Sequence, residues 1–426
     1  MAPSPVVVLL CVVLVGAATA ADADAGGSGA MREEFAWKES AFAWPDEASQ
    51  QRAVDAGSYV VGNNLPLGLA RWRDKMFVTV PRWRHGVAAT LNYFNLTEAR
   101  EQGIKAPVLH PYPDWESNLL PEGRTDDGKQ RVVSVFRVSV DACDRLWVMD
   151  TGVDDILGNT SHVTPPKLMV FDLKTDKLLR EFRFKQELYK DSSFFANVVA
   201  DVEPDQCDKA YAYLPDLGSY ALIVYSWEAD ESWRVTHHYF HFDPLHGNHR
   251  VEDVNFQWTD GVFGVALSRP DAQGERTVFF HALSSLREFS VPASVLRNRT
   301  AALATGPDSY YHYRDLGFKG NDTQATASYL DVDTGVLFFT QLNRNGVACW
   351  NTQKPLEPAN VHLLVSDGER FSFPNDLKVD AEGTLWVLTD RLPVYVYKGG
   401  LDPNTVNYRI FSAAVKDLIK GTVCEA

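Results

Sequence analysis

The chain reads as an all-β protein, a six-bladed β-propeller closed by strands near its two ends and by disulfides, and three observations predict it. Residues 371–391, FSFPNDLKVDAEGTLWVLTDR, form an apolar run, an Asp-Ala-Glu-Gly turn and a second run rich in Trp, Val and Leu, which is the grammar of a β-hairpin. The same grammar returns at 138–152, VSVDACDRLWVMDTG, where Asp141 stands six residues ahead of Trp147 just as Asp380 stands six ahead of Trp386. Looser copies at 69–82, 198–217, 255–268 and 328–342 bring the number of hairpins to six. Four-stranded units repeating at about 40 to 50 residues are the signature of propeller blades, and longer intervals read as loop insertions.

Residues 1–20, MAPSPVVVLLCVVLVGAATA, carry an apolar run from Val6 to Ala18 and end on Ala18-Thr19-Ala20, the small-x-small pattern of a signal peptide cut after Ala20. That run is short for a bilayer span, and it lacks Lys and Arg, so its only positive charge is the α-amine. Residues 21–33 read as a flexible leader and 34–426 as one propeller domain, with 34–44 expected to lend a strand that closes the ring against the last blade. The outer strands of the blades are expected at 88–96, 167–173 (KLMVFDL), 221–227 (ALIVYSW), 277–284 (TVFFHALS) and 393–398 (PVYVYK).

Removal of Cys11 with the signal leaves Cys143, Cys207, Cys349 and Cys424, an even number in an oxidising compartment. Of the three connectivities, Cys143 to Cys207 would join neighbouring hairpin turns, and Cys349 to Cys424 would tether the C-terminal tail to the fifth blade. A zinc site is the competing reading, and it lacks any C-x-x-C spacing. Four sequons, at Asn95, Asn159, Asn298 and Asn321, fit a secreted glycoprotein and fall in expected loops or strand ends.

The formal net charge is −15, which repels nucleic-acid phosphates and anionic lipid heads and favours a cationic small ligand or simple solubility. No other segment is apolar enough to cross a membrane, so the mature protein is expected to be soluble and extracellular. No G-x-S-x-G, H-E-x-x-H, P-loop or EF-hand pattern is present, and no cofactor is expected. The histidines His237, His238, His241, His246 and His249 would put 237, 239 and 241 on one face of a strand, a metal-like cluster that reads better as a blade segment. Pro374-Asn375-Asp376 has the form of a calcium turn, with Asn255 and Asn197 as further ligands; the balance of the residues favours no metal.

The wording of the chain is more specific than its pattern. Residues 59–90 (YVVGNNLPLGLARWRDKMFVTVPRWRHGVAAT), HPYPDW at 110–115, RLWVMDTG at 145–152, PPKLMVFDL at 165–173 and AYAYLPDLGSYALIVYSW at 210–227 belong together. With NFQWTDGVFGVALS, GVACWN, FPNDLKVD and LWVLTDRLP, they resemble the Yellow and major royal jelly protein family of secreted insect proteins over about residues 34–425. The resemblance implies a six-bladed propeller, secretion, glycosylation and a place in cuticle pigmentation and catecholamine chemistry. Some relatives are credited with dopachrome conversion, others bind biogenic amines in the central channel, and others are nutritional or signalling proteins.

In each blade the start of the first strand and the end of the second lie at one mouth of the channel. Five residues back from the turn Asp stand Asn375, Asn255, Ser328, Phe136 and Ala196, with Asn197 adjacent, and the second strands end at Asp150, Asp216, Gln341 and Asp390. Carboxylates suit an ammonium, amides suit phenolic hydroxyls, and Phe256 or Phe136 suits a ring. The expected ligand is a small aromatic amine or a quinone or catechol derivative. A dopachrome-converting enzyme needs a proton acceptor and donor, for which Asp150 and Asp376 are the candidates, while a non-catalytic cuticle or extracellular structural protein is the third reading. Oligomeric state is left open.

Overall fold

The structure, a computed structural model, describes residues 31–425. The expected signal peptide and most of the leader lie outside these residues. Six four-stranded antiparallel sheets follow one another along the chain. The innermost strands are Leu69–Trp72, Val135–Val140, Val199–Asp201, Val262–Leu267, Ser328–Asp331 and Pro374–Val379. Each touches the next, and the last returns to the first, so they close a ring around a channel. The seal is in blade six: Arg32–Trp37 pairs with Tyr408–Ala414 outside Thr384–Thr389 and Pro374–Val379. The strand therefore begins inside the stretch 21–33 that the sequence marks as leader.

The recurring Asp-to-Trp spacing has a physical cause. Asp141 accepts hydrogen bonds from the N–H groups of Cys143 (2.8 Å) and Arg145 (3.0 Å) and from the Trp147 indole (2.7 Å). Asp380 does the same for Glu382 (3.0 Å), Thr384 (2.9 Å) and the Trp386 indole (2.7 Å). One carboxylate thus shapes the turn and satisfies the polar end of a large ring that the blade interface buries. Trp147 and Trp386 are both essentially inaccessible.

Both expected disulfides form, Cys143–Cys207 and Cys349–Cys424, with sulfur separations of 1.96 and 2.05 Å. The second ties the C-terminal tail to the third strand of blade five, Gly346–Asn351. Four segments differ from expectation. Residues 255–268 are not an inner hairpin: Val254–Gln257 pairs with Asn248–Val251 in a separate ribbon, and Phe263 belongs to the innermost strand of blade four, which turns through 268–276 into Thr277–Ala282. The stretch 393–398 is the helix Leu392–Tyr397, because Pro393 suits a first turn and the Asp390 carboxylate accepts the Leu392 N–H at 3.0 Å. Its expected place in the blade is taken by Tyr408–Ala414. His237–His241 is not a strand either; His238–Phe240 is a single 3₁₀ turn, in which His237 stacks on Tyr313 with ring centroids 3.9 Å apart. Finally, 88–96 yields only the strand Leu91–Asn95, after which Asn95 caps the helix Leu96–Glu101.

Candidate functional site

At the mouth where the innermost strands begin lies a cavity of about 240 Å³. Trp83, Phe136, Phe194, Trp258, Phe263, Phe373 and Tyr397 line it together with aliphatic side chains such as Leu217 and Leu283, and Thr326, Asn375 and Asp260 supply polar groups. The rings brace one another edge to face: Trp83 on Phe136 at 4.9 Å, Phe136 on Phe194 at 4.8 Å, and Trp258 on Phe373 at 5.9 Å. The Trp258 indole donates to the Tyr397 hydroxyl at 2.8 Å, joining the loop before blade four to the helix Leu392–Tyr397.

Asp260 is placed by its neighbour. The Gly261 N–H donates to Leu217 O (2.9 Å), and Gly261 O accepts from Leu283 N (2.9 Å). A Cβ at Gly261 would lie 2.5 Å from Phe240 O and from a Tyr220 ring carbon, so only glycine lets the chain pass here. Asp260 is thereby held half-buried among apolar rings, and no group among the described residues pairs with its carboxylate or hydrogen-bonds to it. Desolvation alone pushes its pKa up to about 7. Asp260 enters the sequence reading only as a turn residue from which Asn255 is counted; its Asp-Gly pair resembles every other turn, and the aromatic residues that make it special come from five other parts of the chain.

The carboxylates that the sequence nominates are occupied by their own fold. Asp150 accepts from the N–H groups of Val133 (2.7 Å), Ser134 (2.8 Å) and Gly152 (2.9 Å), with Lys167 Nζ at 3.3 Å. Asp216 accepts from Phe194 N (2.9 Å), Ser219 N (3.1 Å), Ser193 Oγ (2.6 Å) and Arg234 (2.7 Å). In blades one and five the hydroxyls of Thr79 and Thr340 do the equivalent job, receiving Gly68 N and Thr326 N at 2.9 Å each. The end of the second strand is therefore where the incoming chain is fastened.

Asp390 accepts from Leu392 N and, at 2.7 Å, from Asn375 Nδ2. Burial outweighs these bonds and the attraction of Arg137, and lifts its pKa to about 8. Asn375 turns its Oδ1 to the Arg137 guanidinium (3.1 Å) and reaches the mouth cavity. Asn197 donates to Phe263 O (3.1 Å), and against expectation it and Ser328 line the other end of the channel and not this mouth. Gln341 is fully buried, and its amide atoms have no partner among the described residues. Asn255 and Phe256 sit in the ribbon: Asn255 faces solvent, and Phe256 lies beneath Trp258 with centroids 4.6 Å apart. The inner-strand position assigned to them by counting back from Asp260 is a correction, since Asp260 precedes an innermost strand instead of ending one.

Asp376 lies deeper. Its Oδ2 accepts Leu69 N at 3.0 Å, a bond from blade six to blade one, and Lys378 Nζ bonds both carboxylate oxygens at 2.9 and 3.0 Å. The fully buried Arg137 places Nε 3.5 Å from Asp376 and its guanidinium 4.1 Å above the Phe263 ring. This polar layer divides the mouth cavity from the far end of the channel. The sequon asparagines Asn95, Asn159, Asn298 and Asn321 are all exposed, and no helix among the described residues is long and apolar enough to cross a membrane.

The Major royal jelly protein family model matches residues 133–424. Protein yellow of Drosophila yakuba and that of Drosophila melanogaster are each 37% identical to this chain over 397 residues, covering 93% of it and 71% of the relative. Among solved structures, a protein of unknown function from Bacteroides thetaiotaomicron superposes with a TM-score of 0.50 at 8% identity, over 90% of this chain and 75% of that one, a likeness of fold alone. With Asp141–Trp147 and Asp380–Trp386 repeating inside a closed ring of blades, the chain belongs to the Yellow and major royal jelly protein family.

Proposed function

We propose that this chain is a secreted protein of catecholamine or melanin chemistry that binds a small aromatic amine or catechol derivative in the mouth cavity. The observation that carries the reading is Asp260, an unpaired carboxylate inside a wall of aromatic rings. An ammonium entering there meets a negative charge that the protein leaves unanswered, and its ring meets faces and edges of matching polarity. Thr326 and Asn375 stand within the same cavity as partners for phenolic hydroxyls. Protein yellow, by its name, makes a pigmentation role the natural setting.

The charge state gives the reading a signature. With a pKa near 7, Asp260 is mostly protonated at pH 6 and mostly ionised at pH 8, while an alkylammonium stays charged across that range. Affinity for serotonin, followed by tryptophan fluorescence, is expected to rise about tenfold from pH 6 to 8. Asp260→Asn should remove both the affinity and its pH dependence; unchanged binding by that variant overturns the reading.

The same pKa favours a second reading, a dopachrome-converting enzyme. A carboxylate titrating near neutrality in a water-poor pocket is suited to take a proton from the carbon beside the substrate carboxyl and return it elsewhere on the ring. Asp150 and Asp376, already saturated with donors, are less available for it. Dopachrome decay at enzyme concentrations far below substrate separates the readings: repeated turnovers lost in Asp260→Asn mean an enzyme, and decay no faster than with heat-denatured protein leaves binding alone.

A further inference from the structure

The channel has a second cavity, of about 220 Å³, at its opposite end. Val140, Leu267 and Leu330, at or next to the far ends of three innermost strands, belong to its wall, and so do Arg137, Lys378 and Asp376. In a chain whose net charge is −15, this cavity is locally positive. Asp376 is the one carboxylate of the cavity wall set against Arg137 and Lys378, and it is already met by both cations and by the N–H groups of Leu69 and Leu377 at 3.0 Å each. Asp390, which attracts Arg137 from outside this wall, is held by burial at a pKa of about 8 and so is mostly uncharged at pH 7. The other charged lining groups are spent elsewhere. Asp141 holds Arg145 at 2.7 Å and the Trp147 indole, and Arg276 pairs with Asp201 at 3.3 Å and with Glu203. One unit of positive charge is left over between Arg137 and Lys378.

Donors are left over as well. Arg137 Nε makes no hydrogen bond, and Ser328 Oγ, on a residue 7% exposed, has no partner among the described residues. Lys378 Nζ, which carries three N–H groups, bonds only to the two oxygens of Asp376. Buried polar groups left unpaired cost free energy that a bound partner would restore. Burial pushes the pKa of Lys378 and of Arg137 down, and for Lys378 the nearby Arg137 pushes the same way.

We infer that the far cavity is a binding site for a small organic carboxylate. The carboxylate answers the surplus charge between Arg137 and Lys378 and accepts from Ser328 Oγ, and its apolar body rests on Val140 and Leu330. A halide would leave most of the volume unfilled, and a doubly charged phosphate would overshoot the single spare charge. The site is separate from the amine cavity, because the Arg137–Asp376 layer lies between them.

The test uses the full secreted chain and benzoate as probe, with benzamide as the neutral isostere, by calorimetry at pH 7. Benzoate is expected to bind one per chain and benzamide at least about tenfold more weakly, the worth of one charge-assisted contact. Lys378→Met should weaken benzoate by about tenfold or more, and Ser328→Ala, which leaves the ion pairs intact, by about threefold to tenfold. Asp260→Asn should leave benzoate affinity unchanged, and Ser328→Ala should leave serotonin affinity unchanged. The inference is overturned if benzoate gives no binding, if benzamide binds equally well, or if Asp260→Asn rather than Ser328→Ala removes the benzoate site. Should Lys378→Met not fold, Ser328→Ala with the benzamide comparison decides the matter.

Discussion

Asp150 and Asp390 close equivalent second strands, and what surrounds them differs. Asp150 has three backbone donors and a lysine; Asp390 has one backbone donor, one amide and deep burial, and its pKa rises to about 8. A raised carboxylate pKa means that the folded state holds a proton which the unfolded chain releases near pH 4. Stability from this group is therefore present at low pH and is lost as pH rises from about 4 through about 8. Asp390→Asn removes that titration. Denaturant unfolding at pH 5, 7 and 9 should show wild type losing at least about 2 kcal/mol more than the variant between the extremes. The variant starts lower at pH 5, because its amide cannot accept from Asn375 as well as the acid does. Parallel pH dependences would mean that Asp390 is ionised in the folded protein.

At the scale of elements, the mouth is built from the pieces that depart from the repeat. The ribbon Asn248–Val251 with Val254–Gln257 is clamped to the helix Leu392–Tyr397 by Arg391, whose Nε and Nη2 each donate to Glu252 at 2.7 Å. The joint between that ribbon and blade four is Gly261, packed on Phe240 O and Tyr220. Gly261→Ala is expected to cost about 1 to 3 kcal/mol through forced displacement of backbone, and to weaken serotonin binding at least about tenfold because Asp260 moves with it. Gly62→Ala, where an added Cβ meets nothing within 4 Å, should stay within about 0.5 kcal/mol. Denaturation and titration of both variants check this, and equal behaviour would show that the loop gives way. The same contrast explains what the sequence made legible. Blades could be read because Asp141–Trp147 and Asp380–Trp386 repeat a local device that fixes turn and register together. The mouth could not, because PVYVY alternates like a strand while Pro393 and Asp390 make it helical, and because WTDG resembles a hairpin turn although its glycine is required by residues from blade three. Asn375 was found by counting within a true repeat; Asn255 was misplaced by counting within a false one.

For the whole molecule the question is what keeps a ring of six blades shut. The first strand of the fold, Arg32–Trp37, can be placed only after the last one, Tyr408–Ala414, exists to receive it. The tail beyond that seam packs back: Val415, Leu418 and Ile419 share a buried cluster with Met31, Phe411, Cys349 and Cys424, and the tail carbonyls of Val423 and Glu425 accept from Lys354 Nζ at 2.6 and 3.0 Å. Cys349–Cys424 spans 75 residues and Cys143–Cys207 spans 64, so loop-closure entropy alone makes them nearly equal, at about 4 kcal/mol each. Their positions are not equal. Cys143–Cys207 joins two adjacent inner turns that neighbouring blades already hold together, whereas Cys349–Cys424 pins the tail beside the seam in blade six where Arg32–Trp37 meets Tyr408–Ala414. Replacing either pair by serine should lower global stability by about 2 to 5 kcal/mol, but only the Cys349→Ser/Cys424→Ser variant should speed hydrogen exchange selectively in 32–37 and 408–414 under native conditions. Equal protection of the seam in both variants would place closure in strand pairing and in the bond from Leu69 N to Asp376, with the tail as a passenger.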